Sequence, residues 1–252
     1  MDHSRVRRVS LGSRNLIYKI GHTGAASLRI GLENEISCLK TFRDHPPAFS
    51  APILLMVPRP NSMITWGPQG DALSSERFLS VPRGGSIVQL AERSVELADL
   101  IQKYDGAPRS GWPKGFDLVA RLARCRQVPG FNSLHENVIA GLLGDATVQF
   151  GHGDLIPPNI VRHHGRVSAI DWEYAGMWPP RWDLGQLWCS TAMVYDFRRV
   201  VEVAMSGDAE FAAAASLQAC HEWRIHFRDR PKMLPTVTKI VEAALERLLE
   251  FQ

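Results

Sequence analysis

The rhythm of apolar and polar positions changes about a third of the way along the chain. Up to about Gly85, short apolar runs alternate with Gly, Pro and Ser; beyond it, apolar residues recur at helical spacing between brief loops. Arg5 to Leu11 and Leu16 to Ile20 are strand-like, and the Gly21 to Gly24 turn leads to a third short strand at Ser27 to Ile30, which together predict an antiparallel meander. Glu33 to Phe42 carries Ile36, Leu39 and Phe42 on one helical stripe, which His45-Pro-Pro ends. Pro52 to Val57, Ser62 to Trp66 and Arg77 to Val81 are further strand candidates, Gly67 to Ser75 is too polar to assign, and Pro82-Arg-Gly-Gly is a break. Helices are expected at Ile87 to Tyr104, Phe116 to Arg126, Leu134 to Leu143, Trp188 to Met205, Ala209 to Phe227 and Val237 to Phe251, with Val148 to Gly151 as a short apolar entry to a polar motif. The pattern defines an α+β chain of two lobes: residues 1–82, a small antiparallel β lobe with one helix, and residues 83–252, a larger and mostly helical lobe.

Composition narrows the partners. With 252 residues, 45% of them hydrophobic, the chain can bury a core without staples. A net charge of +3, with both signs mixed along the length, offers no basic stripe for a phosphate backbone, so nucleic acid is not expected as a partner. Cys38, Cys125, Cys189 and Cys220 form no C-x-x-C pair, which fits a reducing cytoplasm better than a disulfide framework or a zinc ribbon. No window reaches the length of a membrane span, and the N-terminus lacks a signal-peptide core, so no membrane partner is expected.

The chemistry concentrates between Gly151 and Trp188. Asp154 and Asn159 share one loop, and Asp171 follows a hairpin whose turn is His163 to Gly165, so the hairpin folds Asp171 back beside the loop. Phosphoryl transfer needs such a set: a carboxylate to orient an acceptor hydroxyl, and hard oxygens for the Mg²⁺ that neutralises phosphate charge. Asp154 suits the first role, Asn159 and Asp171 the second. For Asp154 taken alone, a helix cap or turn carboxylate is the commoner use. His152 reads as a hydrogen-bonding brace, since the carboxylate already fills the base role, and Trp172, Trp178, Trp182 and Trp188 read as core before cation–π cage.

At these residues the sequence resembles the aminoglycoside phosphotransferase and choline kinase superfamily. His152-Gly-Asp154, Asn159, Ile170-Asp171-Trp, Glu173-Tyr-Ala-Gly176 and Asp183-Leu stand in that family's order and spacing. The resemblance implies a bilobal protein-kinase-like fold, Asp154 as catalytic base, Asn159 and Asp171 as magnesium ligands, and Asp183 as a brace for the loop. The chain departs from the family's habit at Ile156 and Pro158, where His and Gly are common, and at Met177-Trp-Pro-Pro.

For the nucleotide, the resemblance implies a phosphate-covering turn, a basic residue and a helical glutamate. Gly12-Ser-Arg-Asn15 supplies the turn, with Ser13 and Asn15 able to join its backbone N–H groups around phosphate. Lys19 is one basic candidate; placing Arg29 on a third strand favours Arg29. Glu35 is its expected partner, with Glu33 the fallback, and the backbone near Ser80 and Val81 would meet the adenine edge. The leading expectation is an ATP- or GTP-dependent, Mg²⁺-requiring kinase of a small alcohol such as an antibiotic, an amino alcohol or a sugar. The alternatives are a kinase of Ser or Thr in a peptide precursor, and a silent kinase-like binding module that would have lost one of these anchors. Acceptor identity, oligomeric state and the choice of ATP or GTP stay open.

Overall fold

A computed structural model describes residues 5–11, 14–20, 26–59, 62–68, 70–74, 86–106 and 116–252. Near the N-terminus, β1 (Arg5–Leu11) and β2 (Arg14–Ile20) form an antiparallel pair whose register sets Val6 opposite Lys19. β3 (Ile53–Arg59) and β4 (Ser62–Gly67) complete a four-stranded sheet in the order β1-β2-β4-β3, with Lys19 opposite Met63 on its other side. Between these pairs runs α1 (Ala26–Asp44), which buries Leu32, Ile36, Leu39 and Phe42 at the expected helical spacing.

Residues 27–30 differ from expectation. They form the first turns of α1 and not a third strand, so Arg29 lies on a helix. A run as short as Leu28-Arg29-Ile30 does not separate the two periodicities, and the stripe that follows carries the helix backwards through Ala26 and Ser27. The strand expected over residues 77–81 lies outside the described residues.

The chain already reaches its second sheet at β5 (Asp71–Ala72), which pairs with β7 (Ile160–His163); β8 (Arg166–Ala169) returns along β7. The turn between them places His164 at φ 46° and Gly165 at φ 74°, the two positive φ values of a two-residue hairpin loop. β6 (Gln149–Gly151) pairs with β9 (Gly176–Trp178) and closes the motif from the other side.

The rest is helical: α2 (Ile87–Gln102), α3 (Leu118–Cys125), α4 (Ser133–Leu143), α5 (Trp182–Thr191), α6 (Tyr195–Ala204), α7 (Ala209–Asp229) and α8 (Leu234–Leu248). The single helix expected over Trp188 to Met205 is two, because the chain turns at Met193 and Val194, with Val194 N–H donating to Thr191 O at 2.9 Å. No Gly or Pro marks that turn. α5 is buried along its whole length and lies close against α7, where a side chain at Gly185 would meet the Ala215 backbone nitrogen at 2.8 Å. Ser86, Asp117, Asn132 and Asp208 cap α2, α3, α4 and α7 with their side chains. All four tryptophans read as core are buried, Trp172 wholly so. Among the described residues no helix is long and apolar enough to cross a membrane.

Candidate active site

The loop between β6 and β7 is tied down at both ends. Asp183, in the first turn of α5, accepts the His152 backbone N–H at 2.7 Å on Oδ2 and that of Gly153 at 2.9 Å on Oδ1. Burial pushes the Asp183 carboxyl up, while His152 and the two backbone N–H groups pull it back. The His152 ring is buried against Trp172, with centroids 4.5 Å apart. Asp154 N–H donates to its Nδ1 at 3.3 Å, so the ring proton sits on Nε2 and is donated to Ile170 O at 2.9 Å. His152 and Asp183 both bond to the backbone of the loop. Gly153 has φ 79°, and any Cβ there would lie 2.3 Å from Tyr174 O, so only glycine fits.

Within the loop, Asn159 donates from Nδ2 to Asp154 O at 2.9 Å and to Asp154 Oδ2 at 3.2 Å. With both amide hydrogens so used, its carbonyl oxygen is left as the donor atom for a cation. Ile170 N–H donates to Asn159 O at 2.9 Å, which brings the end of the hairpin beside the loop. The next residue, Asp171, is held in the left-handed region at φ 66°, a conformation Asp tolerates better than most. Its side chain keeps 37% of its surface exposed while Oδ1 takes an ion pair from Lys19.

Lys19 Nζ also lies 2.7 Å from Glu35 Oε2 on α1. Burial opposes the Lys19 charge, but Glu35 and Asp171 outweigh it and raise the ammonium above its ordinary pKa. Of the two basic candidates, Lys19 reaches Glu35 and Asp171, and Arg29 lies on α1 and not on a third strand. Glu33, the fallback, is exposed. Asn15 lies on β2 itself, buried, opposite Ser10 and Gly67. Gly12, Ser13, Ser80 and Val81 lie outside the described residues.

Two contributors, Asn34 and Gln186, were not anticipated, and Glu173 takes part beyond its place in the motif. Asn34, one residue before Glu35, donates from Nδ2 to Glu173 O at 2.9 Å and Ala175 O at 2.8 Å, fastening α1 to the segment after Asp171. Glu173 packs over Gly31, and burial, followed by the Asp171 charge, pushes its carboxyl up to about 7. Gln186 donates from Nε2 to Gly153 O and Asp154 Oδ1, both at 3.1 Å, and accepts Leu155 N–H at 2.8 Å. A signal for Gln186 exists in the sequence: it follows Asp183 by one helical turn, the only other strongly polar side chain early in an otherwise apolar helix.

As a cation site, one amide and one carboxylate on adjoining loops supply hard oxygen only. Among the described residues no group of three or more His, Cys, Asp or Glu is placed to hold a metal. That donor set suits Mg²⁺ completed by phosphate and water, and not a thiolate or imidazole metal. A cavity of about 1140 Å³ lies elsewhere, between α2 and the β7–β8 hairpin.

The phosphotransferase enzyme family matches residues 2–226, and the chain belongs to that family. No curated protein matches the sequence. Among solved structures, the aminoglycoside phosphotransferase APH(4)-Ia superposes with a TM-score of 0.65 at 15% identity, over 98% of this chain and 90% of its own. ADP-bound aminoglycoside phosphotransferase APH(2'')-Ib gives 0.59 at 13% identity, over 97% and 94%. A choline/ethanolamine kinase family protein from Mesorhizobium loti gives 0.56 at 16%, over 98% and 87%. At these identities the likeness is one of fold, and that fold is the bilobal, kinase-like one: a small antiparallel sheet with one helix, then a mostly helical part.

Proposed function

We propose that the protein is a Mg²⁺-dependent kinase that moves the γ-phosphate of ATP or GTP to a hydroxyl of a small molecule. The observation that supports this most is continuity: Lys19 pairs with Asp171, the preceding residue Ile170 donates its backbone N–H to Asn159 O, and the Asn159 amide donates to the Asp154 carboxylate. These residue types are the ones in-line transfer uses. Asp154 orients the acceptor hydroxyl and takes its proton on a carboxylate oxygen as the new O–P bond forms and the bond from the γ-phosphorus to the β-phosphate oxygen breaks, releasing the nucleoside diphosphate. Lys19, held charged by Glu35, is aimed at the nucleotide's α- and β-phosphates. Asn159 and Asp171 would hold Mg²⁺, which when bound neutralises charge on the β- and γ-phosphates. Gly12, Ser13 and Asn15 would help to cover the phosphates, and backbone near Ser80 and Val81 would meet the base edge.

Related folds support the nucleotide part of this reading: one aminoglycoside phosphotransferase was captured with streptomycin and ATP, another with GDP. A silent binding module would lack at least one anchor, and Lys19, Glu35, Asp154, Asn159 and Asp171 are all present. The test is ³¹P NMR of Mg²⁺ with ATP or GTP over aminoglycosides, choline, ethanolamine, nucleosides, sugars and Ser/Thr peptides. A phosphate ester on one class of alcohol, formed with stoichiometric nucleoside diphosphate, is the expected result. Failure to bind either nucleotide would overturn the proposal.

A further inference from the structure

Both oxygens of the Asp154 carboxylate are occupied by side-chain amides. Asn159 Nδ2 donates to Oδ2 at 3.2 Å from within the loop, whereas Gln186 Nε2 donates to Oδ1 at 3.1 Å from α5, far along the chain. Gln186 is only 5% exposed. Its orientation is fixed by its partners: Leu155 N–H can only donate, so it meets Oε1 at 2.8 Å, and Gly153 O can only accept, so it meets Nε2 at 3.1 Å. One neutral side chain therefore grips the backbone on both sides of Asp154 and the carboxylate between.

We infer that Gln186 is a positioning residue for phosphoryl transfer, setting the rotation of the Asp154 carboxylate toward the acceptor oxygen. The inference rests on the reading of Asp154 as the base. Rotation of a carboxylate about its terminal bond is soft, so its direction must come from partners. Two amides from opposite sides supply that direction. A cation in place of Gln186 would make Asp154 half of an ion pair and compete with the acceptor; a neutral donor orients without competing. The same residue explains why α5 begins so close to the loop: Asp183 holds His152 and Gly153, and Gln186, on the next turn of the helix, holds Gly153, Asp154 and Leu155.

The test compares wild type, Gln186→Met, Gln186→Glu and Asp154→Asn with MgATP, water serving as the acceptor, reading kcat, nucleotide affinity and melting temperature. Gln186→Met should lower kcat by about 10- to 100-fold with nucleotide affinity within about 2-fold of wild type. Gln186→Glu keeps an acceptor for Leu155 N–H but sets an oxygen against Asp154 Oδ1, so it should lower kcat at least as much; it decides the question if the Met variant does not fold. A kcat within about 3-fold of wild type in the folded variant, or a loss of nucleotide affinity in step with kcat, overturns the inference. Full activity in Asp154→Asn would remove the base reading and this inference together, whereas an inactive Asp154→Asn beside a fully active Gln186 variant removes this inference alone.

Discussion

The Lys19 ammonium lies 2.7 Å from Glu35 Oε2 and also pairs with Asp171, so one cation joins the four-stranded sheet, α1 and the loop that follows the hairpin. Lys19 and Glu35 are both buried, with side-chain exposures of 9% and 4%. Removing Lys19 leaves Glu35, whose carboxyl burial already pushes up, without its cation in a poorly solvated place. Lys19→Met should therefore cost about 3–5 kcal/mol of stability in thermal or urea unfolding. It should also lower kcat/KM for the nucleotide by about 100-fold or more, whereas Arg29→Met should retain most activity. Equal losses in the two variants would reopen the choice between them.

The same pair sets a pH dependence. Glu35 and Asp171 raise the Lys19 ammonium above its ordinary 10.5 despite burial. A lysine with a raised folded-state pKa stabilises the fold fully below its unfolded value and loses that contribution as pH climbs through the folded value. The stability gap between wild type and Lys19→Met should thus stay constant from about pH 7 to about pH 10 and shrink only above that. A gap that closes below about pH 9 would mean that the pair does not hold Lys19 protonated.

Gly153→Ala tests the geometry of the loop. The added methyl would lie 2.3 Å from a backbone oxygen, at a φ of 79° that alanine rarely adopts. Backbone must move, and Asp154 moves with it. A loss of about 100-fold or more in turnover is expected, and it should exceed the loss for Gly165→Ala. Gly165 also has positive φ but meets nothing within 4 Å.

Asn34 is the second fastening between α1 and the motif. Asn34→Leu would leave the carbonyls of Glu173 and Ala175 without their donor, at a cost of about 1–3 kcal/mol. Since α1 carries Glu35, nucleotide KM should rise with little change in kcat. Unchanged KM alongside lost stability would make Asn34 purely a fold residue.

Local sequence specified the motif well. The His163 to Gly165 turn has the chemistry of a two-residue hairpin, and once it closes, Asp171 must return beside Asn159. Residues chosen by tertiary contact were harder to see. Asn34 is one of several polar positions on α1, indistinguishable by period from solvent-facing ones until α1 is set against the loop, and Gln186 carries only its spacing from Asp183. Arg29 was favoured because four residues before the helical stripe read as a strand. The two-residue β5 has no periodicity to detect and exists only through its pairing with β7. Likewise, the turn at Met193 lies between two stripes that join without a breaking residue.

The most direct test of the account is single-turnover transfer from MgATP by wild type and Asp154→Asn, with nucleotide affinity measured on the same samples. If Asp154 is the base, the rate should fall by about 100-fold or more while affinity stays within about 3-fold, because the anchors on Lys19, Asn159 and Asp171 remain. Acceptor-dependent transfer by Asp154→Asn at the wild-type rate would contradict it.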